Sequence, residues 1–210
     1  MKNKLIIVAG CSGSGKTTVT NRILKQFKKG QGQVICLDRF YWADKKKIPF
    51  IKEINQYNYD HPSSFDWKLV EKTIKDLLNN KPVRIPKYDY VHSRREKNFE
   101  KRRPTKIVIL EGMLSLYNDD INKLASLKVF LQVSLDTCFI RRLLRDQKDR
   151  GRTVDSIVKQ WQSTVKPMYE QFVRPTETKA NIILPWDGKT QDELETVLEL
   201  NKKMVKKHDK

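Results

Sequence analysis

The residue pattern with the clearest chemical meaning is a glycine-rich segment near the start of the chain. Residues 10–17 read Gly-Cys-Ser-Gly-Ser-Gly-Lys-Thr and fit the spacing G-x-x-x-x-G-K-[ST]. Glycines allow the backbone to curve so that its N–H groups surround phosphate oxygens, and the N-terminus of a following helix adds positive potential. In this pattern Lys16 reaches the β- and γ-phosphates of a nucleoside triphosphate, and Thr17 offers a hydroxyl to Mg²⁺. A glycine-rich turn without a ligand is the alternative, and the lysine and threonine argue against it.

The residues predicted to bind the nucleotide are Gly10, Cys11, Ser12, Gly13, Ser14, Gly15, Lys16, Thr17 and Thr18.

Two acidic residues directly follow apolar runs further along the chain. Asp38 follows residues 34–37, and Glu111 follows residues 107–110. In open parallel sheets, ligands bind outside the carboxyl ends of the strands, so both carboxylates are expected on the side of the glycine-rich loop. Phosphoryl transfer needs acidic groups there to hold Mg²⁺ and to accept a proton from the acceptor hydroxyl. We therefore predict a metal site at Thr17 and Glu111, although either carboxylate alone could equally be a helix cap or a surface group.

A third feature is a cluster of five arginines within residues 141–152. They are Arg141, Arg142, Arg145, Arg150 and Arg152, with Asp146 and Asp149 interleaved. Arginines on a mobile lid can stabilise the charge of a transferring phosphoryl group. A solvated helix with salt-bridged charges explains the same pattern equally well.

A fourth feature is the run Tyr88-Asp89-Tyr90-Val91-His92. The aromatic side chains and the histidine could stack on a planar base and hydrogen-bond to it. They could equally pack on the face of a hairpin, which is the commoner use of tyrosine in extended segments. Composition and spacing leave both interpretations open.

The elements that must position these residues alternate between apolar runs and amphipathic stretches, which is typical of a parallel sheet with helices. Strands are predicted at residues 5–9, 34–37, 107–110, 129–133 and 182–184. Helices are predicted at residues 16–28, 65–79, 136–150, 154–173 and 191–207, and the helix over 154–173 is expected to be interrupted or bent at Pro167. Residues 82–90 and 98–103 are predicted to form a hairpin arm, and residues 40–62 to be irregular. The fold prediction is α/β: a P-loop NTPase-type, mostly parallel five-stranded sheet flanked by helices, with a small β-hairpin and an Arg-rich helical lid.

Length and composition favour a single cytoplasmic domain. A chain of 210 residues suits one α/β domain, so we predict one domain over residues 1–210, with a hairpin insertion at about 82–105 and a lid at about 136–152. No run approaches the ~20 apolar residues of a membrane span, and the N-terminus does not fit a signal peptide. The three cysteines are scattered, which argues against a disulfide framework or a zinc site.

The formal net charge of +18, with a pI near 9.8, allows two interpretations. A nucleic-acid partner is one, because Lys and Arg patches bind phosphate backbones. A lysine-rich surface around a site for small anions is the other. The lysines are spread along the whole chain, and no RNP or GXXG pattern is present. We therefore expect no specific nucleic-acid partner.

Over nearly its whole length the chain resembles the uridine kinase (uridine–cytidine kinase) family of P-loop kinases. The resemblance rests on residues 10–18, Leu37-Asp38-Arg39-Phe40-Tyr41, Asn58-Tyr59-Asp60-His61-Pro62-Ser63-Ser64-Phe65-Asp66, Tyr88-Asp89-Tyr90 with His92, Leu110-Glu111-Gly112, Arg141-Arg142 through Arg150-Gly151-Arg152, and Gln160 with Val165-Lys166-Pro167-Met168. The Asn-Tyr-Asp-His-Pro run is far more specific than the phosphate loop, which many families share.

The resemblance implies phosphorylation of uridine, and of cytidine, at the 5′-hydroxyl for pyrimidine salvage, with ATP or GTP as donor and Mg²⁺ as cofactor. It implies Asp38 as the base on that hydroxyl, Asp60 and Arg142 near the ribose, and Tyr88 and His92 at the base edge. The further site residues that it implies are Lys16, Arg145 and Arg150 for catalysis and Tyr41, Arg152 and Gln160 for substrate binding. It also implies a homo-oligomer, commonly a tetramer, with a hairpin over the nucleoside.

The chain departs from the family pattern at two places. Val91 alone separates Tyr90 from His92, where the family usually has one more residue. Residues 185–188 read Pro-Trp-Asp-Gly where the family tends toward Pro-Arg-Gly, so contacts to the donor purine are expected to differ. Alternatives are a phosphoribulokinase-like or pantothenate-kinase-like activity, a nucleotide-dependent RNA-binding protein, or a P-loop regulator without turnover.

Overall fold

The fold is given by a computed structural model, which describes residues 3–52 and 56–186. The strands are β1 (Lys4–Gly10), β2 (Gly32–Cys36), β3 (Phe50–Ile51), β4 (Gln56–Tyr57), β5 (Val83–Asp89), β6 (Arg94–Arg102), β7 (Ile107–Glu111), β8 (Ala125–Gln132) and β9 (Ile182–Pro185). Five of them form one parallel sheet in the order β2-β7-β1-β8-β9. The predicted parallel sheet of five strands is thereby confirmed.

The α-helices are α1 (Lys16–Leu24), α2 (Trp67–Leu78), α3 (Asp119–Asn122), α4 (Leu135–Arg150), α5 (Val154–Gln160) and α6 (Lys166–Met168). Side chains cap several of them in the expected way. Asp66 accepts a hydrogen bond from the Leu69 N–H at the start of α2, and Ser134 accepts one from the Thr137 N–H at the start of α4. Gly151, in the left-handed conformation, ends α4.

The core lies on both faces of the sheet, because the central strand β1 is apolar on both sides. Leu5, Ile7 and Ala9 belong to the larger cluster, whereas Ile6 and Val8 belong to the smaller one, which α1 completes. Burial on both faces explains why β1 is a continuous apolar run rather than an alternating one.

Strands β7 and β2 are in register with β1 at the edge of the sheet where the chain leaves each strand. Val8 of β1 pairs with Glu111 at the end of β7, and Glu111 pairs with Cys36 at the end of β2. Gly10 and Asp38 each follow two residues beyond this row. The phosphate loop and the two predicted carboxylates therefore emerge from three adjacent strands.

The predicted hairpin arm is formed by β5 and β6, which pair antiparallel from Val83 with Arg102 to Asp89 with Arg94. Strand β6 begins at Arg94, earlier than the sequence predicts. A second, very short antiparallel pair, β3 with β4, lies in the segment predicted to be irregular. Two-residue strands leave too little periodicity to be detected in the sequence.

Two helices differ from their predictions in length or form. Helix α1 ends at Leu24 rather than Lys28, because Gln26 and Phe27 make hydrogen bonds to residues three positions back. The predicted helix over residues 154–173 is interrupted around Pro167, as predicted. The interruption takes the form of π-helical segments at Trp161–Val165 and Tyr169–Val173, which flank the short helix α6.

The predicted closing helix at residues 191–207 lies outside the described residues. Within the residues that the structure describes, no helix is long and apolar enough to cross a membrane.

Candidate active site

The loop between β1 and α1 bends where only glycine fits. Gly13 and Gly15 have φ angles of 85° and 91°, in the left-handed region that favours glycine. A Cβ atom on Gly13 would lie 2.2 Å from the carbonyl oxygen of Cys138, and one on Gly15 would lie 2.6 Å from Nε1 of Trp186. The loop is therefore clamped between α4 and the residue that follows β9.

Lys16, the first residue of α1, folds back over this loop. Its Nζ atom donates hydrogen bonds to the carbonyl oxygens of Gly10 at 3.0 Å and Cys11 at 2.8 Å. The ammonium group is therefore held at the phosphate loop, within reach of any anion that binds to the N–H groups there.

Thr17 and Glu111 form a pair of oxygen ligands beside the loop. The Thr17 hydroxyl lies 3.2 Å from both carboxylate oxygens of Glu111. Burial raises the pKa of Glu111 above its usual value, Lys16 and the Thr17 hydroxyl oppose this, and Asp38 adds to it. Among the described residues no group of three or more His, Cys, Asp or Glu side chains could hold a metal by itself. This donor set fits Mg²⁺, which takes one or two protein oxygens and completes its shell with water and phosphate.

Asp38 is fixed by its neighbours in a short 3₁₀ turn, Leu37–Phe40, directly after β2. Leu37 is fully buried in the larger core cluster. Arg39 forms an ion pair with Glu100 of the hairpin, at 2.7 Å between Nη2 and Oε2. Because both neighbours of Asp38 are anchored, its backbone is held at the edge of the cavity described below, whose lining includes Asp38.

Asp60 is a buried carboxylate with a hydroxyl donor from a distant part of the chain. The Thr164 hydroxyl, in the π-helical segment, donates to Oδ2 of Asp60 at 2.8 Å, and the Asn58 side chain accepts from the Asp60 N–H. Burial raises the pKa of Asp60, while the Arg142 guanidinium and then the Thr164 hydroxyl act against that rise. Thr164 and Arg142 therefore both favour the ionised form of this carboxylate, and the Thr164 hydroxyl also holds it in place.

Four of the clustered arginines converge on one carboxylate, that of Asp146 in α4. Its side chain is fully buried, and the guanidinium nitrogens lie at 2.8 Å for Arg145, 3.4 Å for Arg150, 3.4 Å for Arg152 and 3.6 Å for Arg142. Asp146 and Arg142 are buried and the other three arginines are partly exposed, so the cluster is a partly buried ion-pair network rather than the fully solvated helix face that the sequence pattern equally allowed.

Arg142 joins this network to the phosphate loop and to Gln160. Its Nη1 donates to the Ser12 hydroxyl at 2.7 Å and its Nη2 to Oε1 of Gln160 at 2.8 Å. Arg152 donates to the same Gln160 oxygen. Arg142 therefore contacts the loop of the predicted nucleotide site while acting on Asp60 of the predicted nucleoside site.

A cavity of about 780 Å³ gathers most of the predicted site residues. The predicted residues that line it are Ser12, Gly13, Gly15, Lys16, Thr17, Thr18, Asp38, Tyr41, Asp60, Tyr88, Glu111, Arg142, Arg145, Arg150, Arg152 and Gln160. This volume is in the range of small-molecule sites. Gly10, Cys11 and Ser14 belong to the loop but are not part of the lining.

Aromatic side chains form one wall of the cavity. The ring of Tyr41 stacks on Phe65 at 4.4 Å and lies 5.3 Å from Tyr88 and 5.2 Å from Tyr59. Burial raises the pKa of Tyr41 and of Tyr88 well above the usual value for tyrosine, with Asp38 adding to both shifts. Both phenols therefore stay protonated at neutral pH and can donate hydrogen bonds.

His92 is the one predicted nucleoside residue that the structure does not bring to the cavity lining. It lies in the turn of the hairpin, with a side chain that is 64% exposed and an Nδ1 atom 2.6 Å from Oδ2 of Asp89. The other Asp89 oxygen accepts the backbone N–H groups of Val91 and His92. In this tight turn the imidazole folds back on Asp89, away from the cavity.

The sequence profile of the "Phosphoribulokinase / Uridine kinase family" matches residues 5–192. The chain belongs to this family. A uridine kinase of Lactobacillus helveticus is 42% identical over 187 residues, 89% of this chain and 88% of the relative. A uridine kinase of Ligilactobacillus salivarius is 39% identical over 211 residues, 100% of this chain and 98% of the relative. The solved D-glycerate 3-kinase of Cryptococcus neoformans shares the fold, with a TM-score of 0.61 at 16% identity over 81% of this chain and 79% of that protein.

Membership of this kinase family makes the chain a phosphotransferase, as the residue patterns predict. The sequence analysis nevertheless missed several residues that line the cavity or support the side chains in it. Tyr59 lines the cavity, Thr164 donates a hydrogen bond to Asp60, and Asp146 forms ion pairs with four of the arginines. Only Asp146 carried a usable signal, because it stands four residues from both Arg142 and Arg150.

Proposed function

We propose that the protein is a uridine kinase that transfers the γ-phosphoryl group of ATP or GTP to the 5′-hydroxyl of uridine and of cytidine. The observation that carries this proposal is the shared cavity: the phosphate loop and the carboxylates of Asp38 and Asp60 line the same space. A phosphoryl transferase must hold donor and acceptor in line, and so needs both halves of the site in one cavity.

On the acceptor side, Asp60 is suited to accept hydrogen bonds from the vicinal 2′- and 3′-hydroxyls of a ribose, with Arg142 beside it. Asp38 takes the proton of the 5′-hydroxyl as that oxygen forms its bond to the γ-phosphorus. The bond between the γ-phosphorus and the bridging oxygen breaks at the same time, and the nucleoside diphosphate leaves with that electron pair.

On the donor side, the N–H groups of the loop and Lys16 hold the triphosphate. Thr17 and Glu111 would hold Mg²⁺, which when bound neutralises charge on the β- and γ-phosphates. Arg145 and Arg150 line the cavity and stabilise the charge that spreads over the transferring phosphoryl oxygens.

The nucleobase is assigned to the aromatic wall. Tyr88 offers a phenol hydroxyl and Tyr41 an aromatic face in the part of the cavity that also contains Asp60. His92 is left out of this assignment, because its imidazole is paired with Asp89 outside the lining.

A coupled assay of nucleoside diphosphate release tests the function. We expect Mg²⁺-dependent turnover with uridine and cytidine, using ATP and GTP as donors in parallel. Ribulose 5-phosphate and pantothenate serve as competing acceptors. Turnover of either of these without turnover of uridine would refute the proposal.

The role of Asp60 has its own test, with a substrate that lacks one of its partners. Asp60→Asn should weaken uridine binding, and its defect should shrink with 2′-deoxyuridine, which has already lost one hydroxyl. Asp38→Asn serves as the matched control, because its defect should be equal on both nucleosides. An equal defect of Asp60→Asn on both substrates would contradict the assignment.

We further infer that the enzyme works in pyrimidine salvage in the cytoplasm as a homo-oligomer, a tetramer by resemblance to its family. The even spread of basic residues over the chain favours small anionic ligands over a specific nucleic acid. Size-exclusion chromatography with light scattering measures the oligomeric state, and a monomer at micromolar concentration would contradict this inference.

A further inference from the structure

The carboxylate of Asp146 is the meeting point of the four arginines but does not itself line the cavity. All four of its partners do, namely Arg142, Arg145, Arg150 and Arg152. Asp146 therefore stands behind the arginines, on the side away from the space that a substrate would fill.

The chain brings these partners to Asp146 from two segments. Arg142, Arg145 and Arg150 lie on α4 itself. Arg152 reaches it because Gly151 turns the chain in the left-handed conformation and the Arg152 N–H then donates to the Asp146 carbonyl oxygen at 3.1 Å. The carbonyl oxygen and the carboxylate of Asp146 thus both hold Arg152.

The arginines and Asp146 stabilise one another's charges. Burial disfavours ionisation of Asp146, but the guanidinium groups of Arg142, Arg145 and Arg150 outweigh it and keep its pKa below the usual value. The carboxylate of Asp146 offsets one of the four positive charges in this group, while Arg141 adds a further guanidinium to the cavity lining. Without the carboxylate, four like charges would repel one another in a partly desolvated space.

We propose that Asp146 is a positioning residue: a fixed internal counter-ion that holds the four arginines in place, and among them positions Arg145 and Arg150 to receive a transferring phosphoryl group. It contacts neither donor nor acceptor, and it acts through the arginines alone. This inference rests on the phosphoryl transfer proposed above.

The test is the isosteric variant Asp146→Asn, with Asp149→Asn as the control. Asp149 is exposed on the same helix, and its removal makes the same change in net charge. Two quantities are measured: kcat with uridine, and the dissociation constant of ATP without nucleoside.

We expect kcat of Asp146→Asn to fall by about 10- to 100-fold, because catalytic groups displaced by ~1 Å lose about that much. The dissociation constant of ATP should fall or stay within threefold, because the site has gained net positive charge. Asp149→Asn should leave both quantities within about twofold.

A merely structural role predicts a different result, in which ATP binding weakens more than threefold together with kcat. That outcome, or a fall of kcat by less than fivefold, would overturn the proposal. If Asp146→Asn does not fold, Asp146→Glu keeps the charge but shifts the carboxylate by one methylene, and kcat should fall at least fivefold with ATP binding unchanged. Failure of both variants to fold, with Asp149→Asn folded, would assign Asp146 a structural role only. An inactive wild-type enzyme would instead refute the proposed function.

Discussion

Replacement of Thr164 by valine should raise the pH below which the enzyme no longer binds uridine. Thr164 is fully buried, its hydroxyl donates to Asp60 at 2.8 Å, and valine has nearly the same shape. In its proposed role, Asp60 must be ionised to accept hydrogen bonds from both ribose hydroxyls. Because the hydroxyl stabilises the ionised form, its removal raises the pKa of Asp60 further.

The size of this effect follows from the hydrogen bonds at Thr164. A hydrogen bond to an ionised group contributes roughly 1.5–3 kcal/mol. The Thr164 hydroxyl has one proton and also lies 3.1 Å from the Gln160 carbonyl oxygen, so the lower end applies. Since ~1.4 kcal/mol corresponds to one pH unit, the acid limb of uridine binding should move up by about one unit.

The assay is the dissociation constant of uridine, measured by calorimetric titration between about pH 4 and pH 8 without a phosphoryl donor, so that proton transfer to Asp38 plays no part. Thr164→Ser is the matched control, because it keeps the hydroxyl and should keep the wild-type profile. Coincident profiles for wild type and Thr164→Val, or an equal shift in Thr164→Ser, would refute the reasoning.

The free energy of unfolding should also depend on pH through Asp60. The pKa of Asp60 is raised in the folded state, so its contribution is fully present below the unfolded pKa and is lost as the pH rises through the folded pKa. The free energy of unfolding of Thr164→Val should therefore keep falling to a higher pH than that of the wild type.

Four further substitutions test separate parts of the site. Lys16→Ala should lower kcat by about 10²–10³-fold with little change in melting temperature, and a near-normal kcat would contradict the loop assignment. Asp38→Asn should lower kcat by about 10²–10⁴-fold while uridine still binds, and a retained kcat would remove Asp38 as the base. Gly13→Ala should destabilise the fold by about 1–3 kcal/mol, because its Cβ would lie 2.2 Å from the Cys138 carbonyl oxygen, and a wild-type melting temperature would show that the loop can relax. His92→Ala should change the dissociation constant of uridine by less than about threefold, as exposed side chains usually do, and a tenfold weakening would place the imidazole in the site.

The parts of the molecule that the sequence predicts well are those with a local cause. The phosphate loop needs glycines at fixed spacing, and β1 needs an uninterrupted apolar run, so both can be recognised within about ten residues. Asp38 and Glu111 could be placed because each directly follows a buried strand, and parallel strands end at the same edge of the sheet.

The parts that the sequence does not predict depend on contacts between distant segments. Thr164 lies 104 residues from Asp60 in the chain, and no local pattern links them. Its position also depends on a π-helical segment, where hydrogen bonds skip one residue more than in an α-helix. Whether Asp146 is solvated or buried depends on packing, so spacing alone could not separate the two interpretations.

His92 illustrates a limit of a different kind. Its residue type and neighbours agree with a base-binding histidine, but the structure places it in the turn between β5 and β6. There one oxygen of the Asp89 carboxylate accepts the backbone N–H of His92, and the other lies 2.6 Å from the ring Nδ1 atom. The direction of a side chain in a hairpin turn depends on hydrogen bonds within that turn, which residue type alone does not reveal.

The register of β2, β7 and β1 determines where three groups of the site leave the sheet. Neighbouring strands are spaced about 4.8 Å apart by their backbone hydrogen bonds, whatever side chains they carry. Asp38, Glu111 and Gly10 follow in that order across these three strands, and this is the order of the proposed proton acceptor, the proposed metal ligand and the phosphate loop. The order of the three groups is therefore fixed by hydrogen bonds between backbones, independently of the side chains in the hairpin and in the aromatic wall.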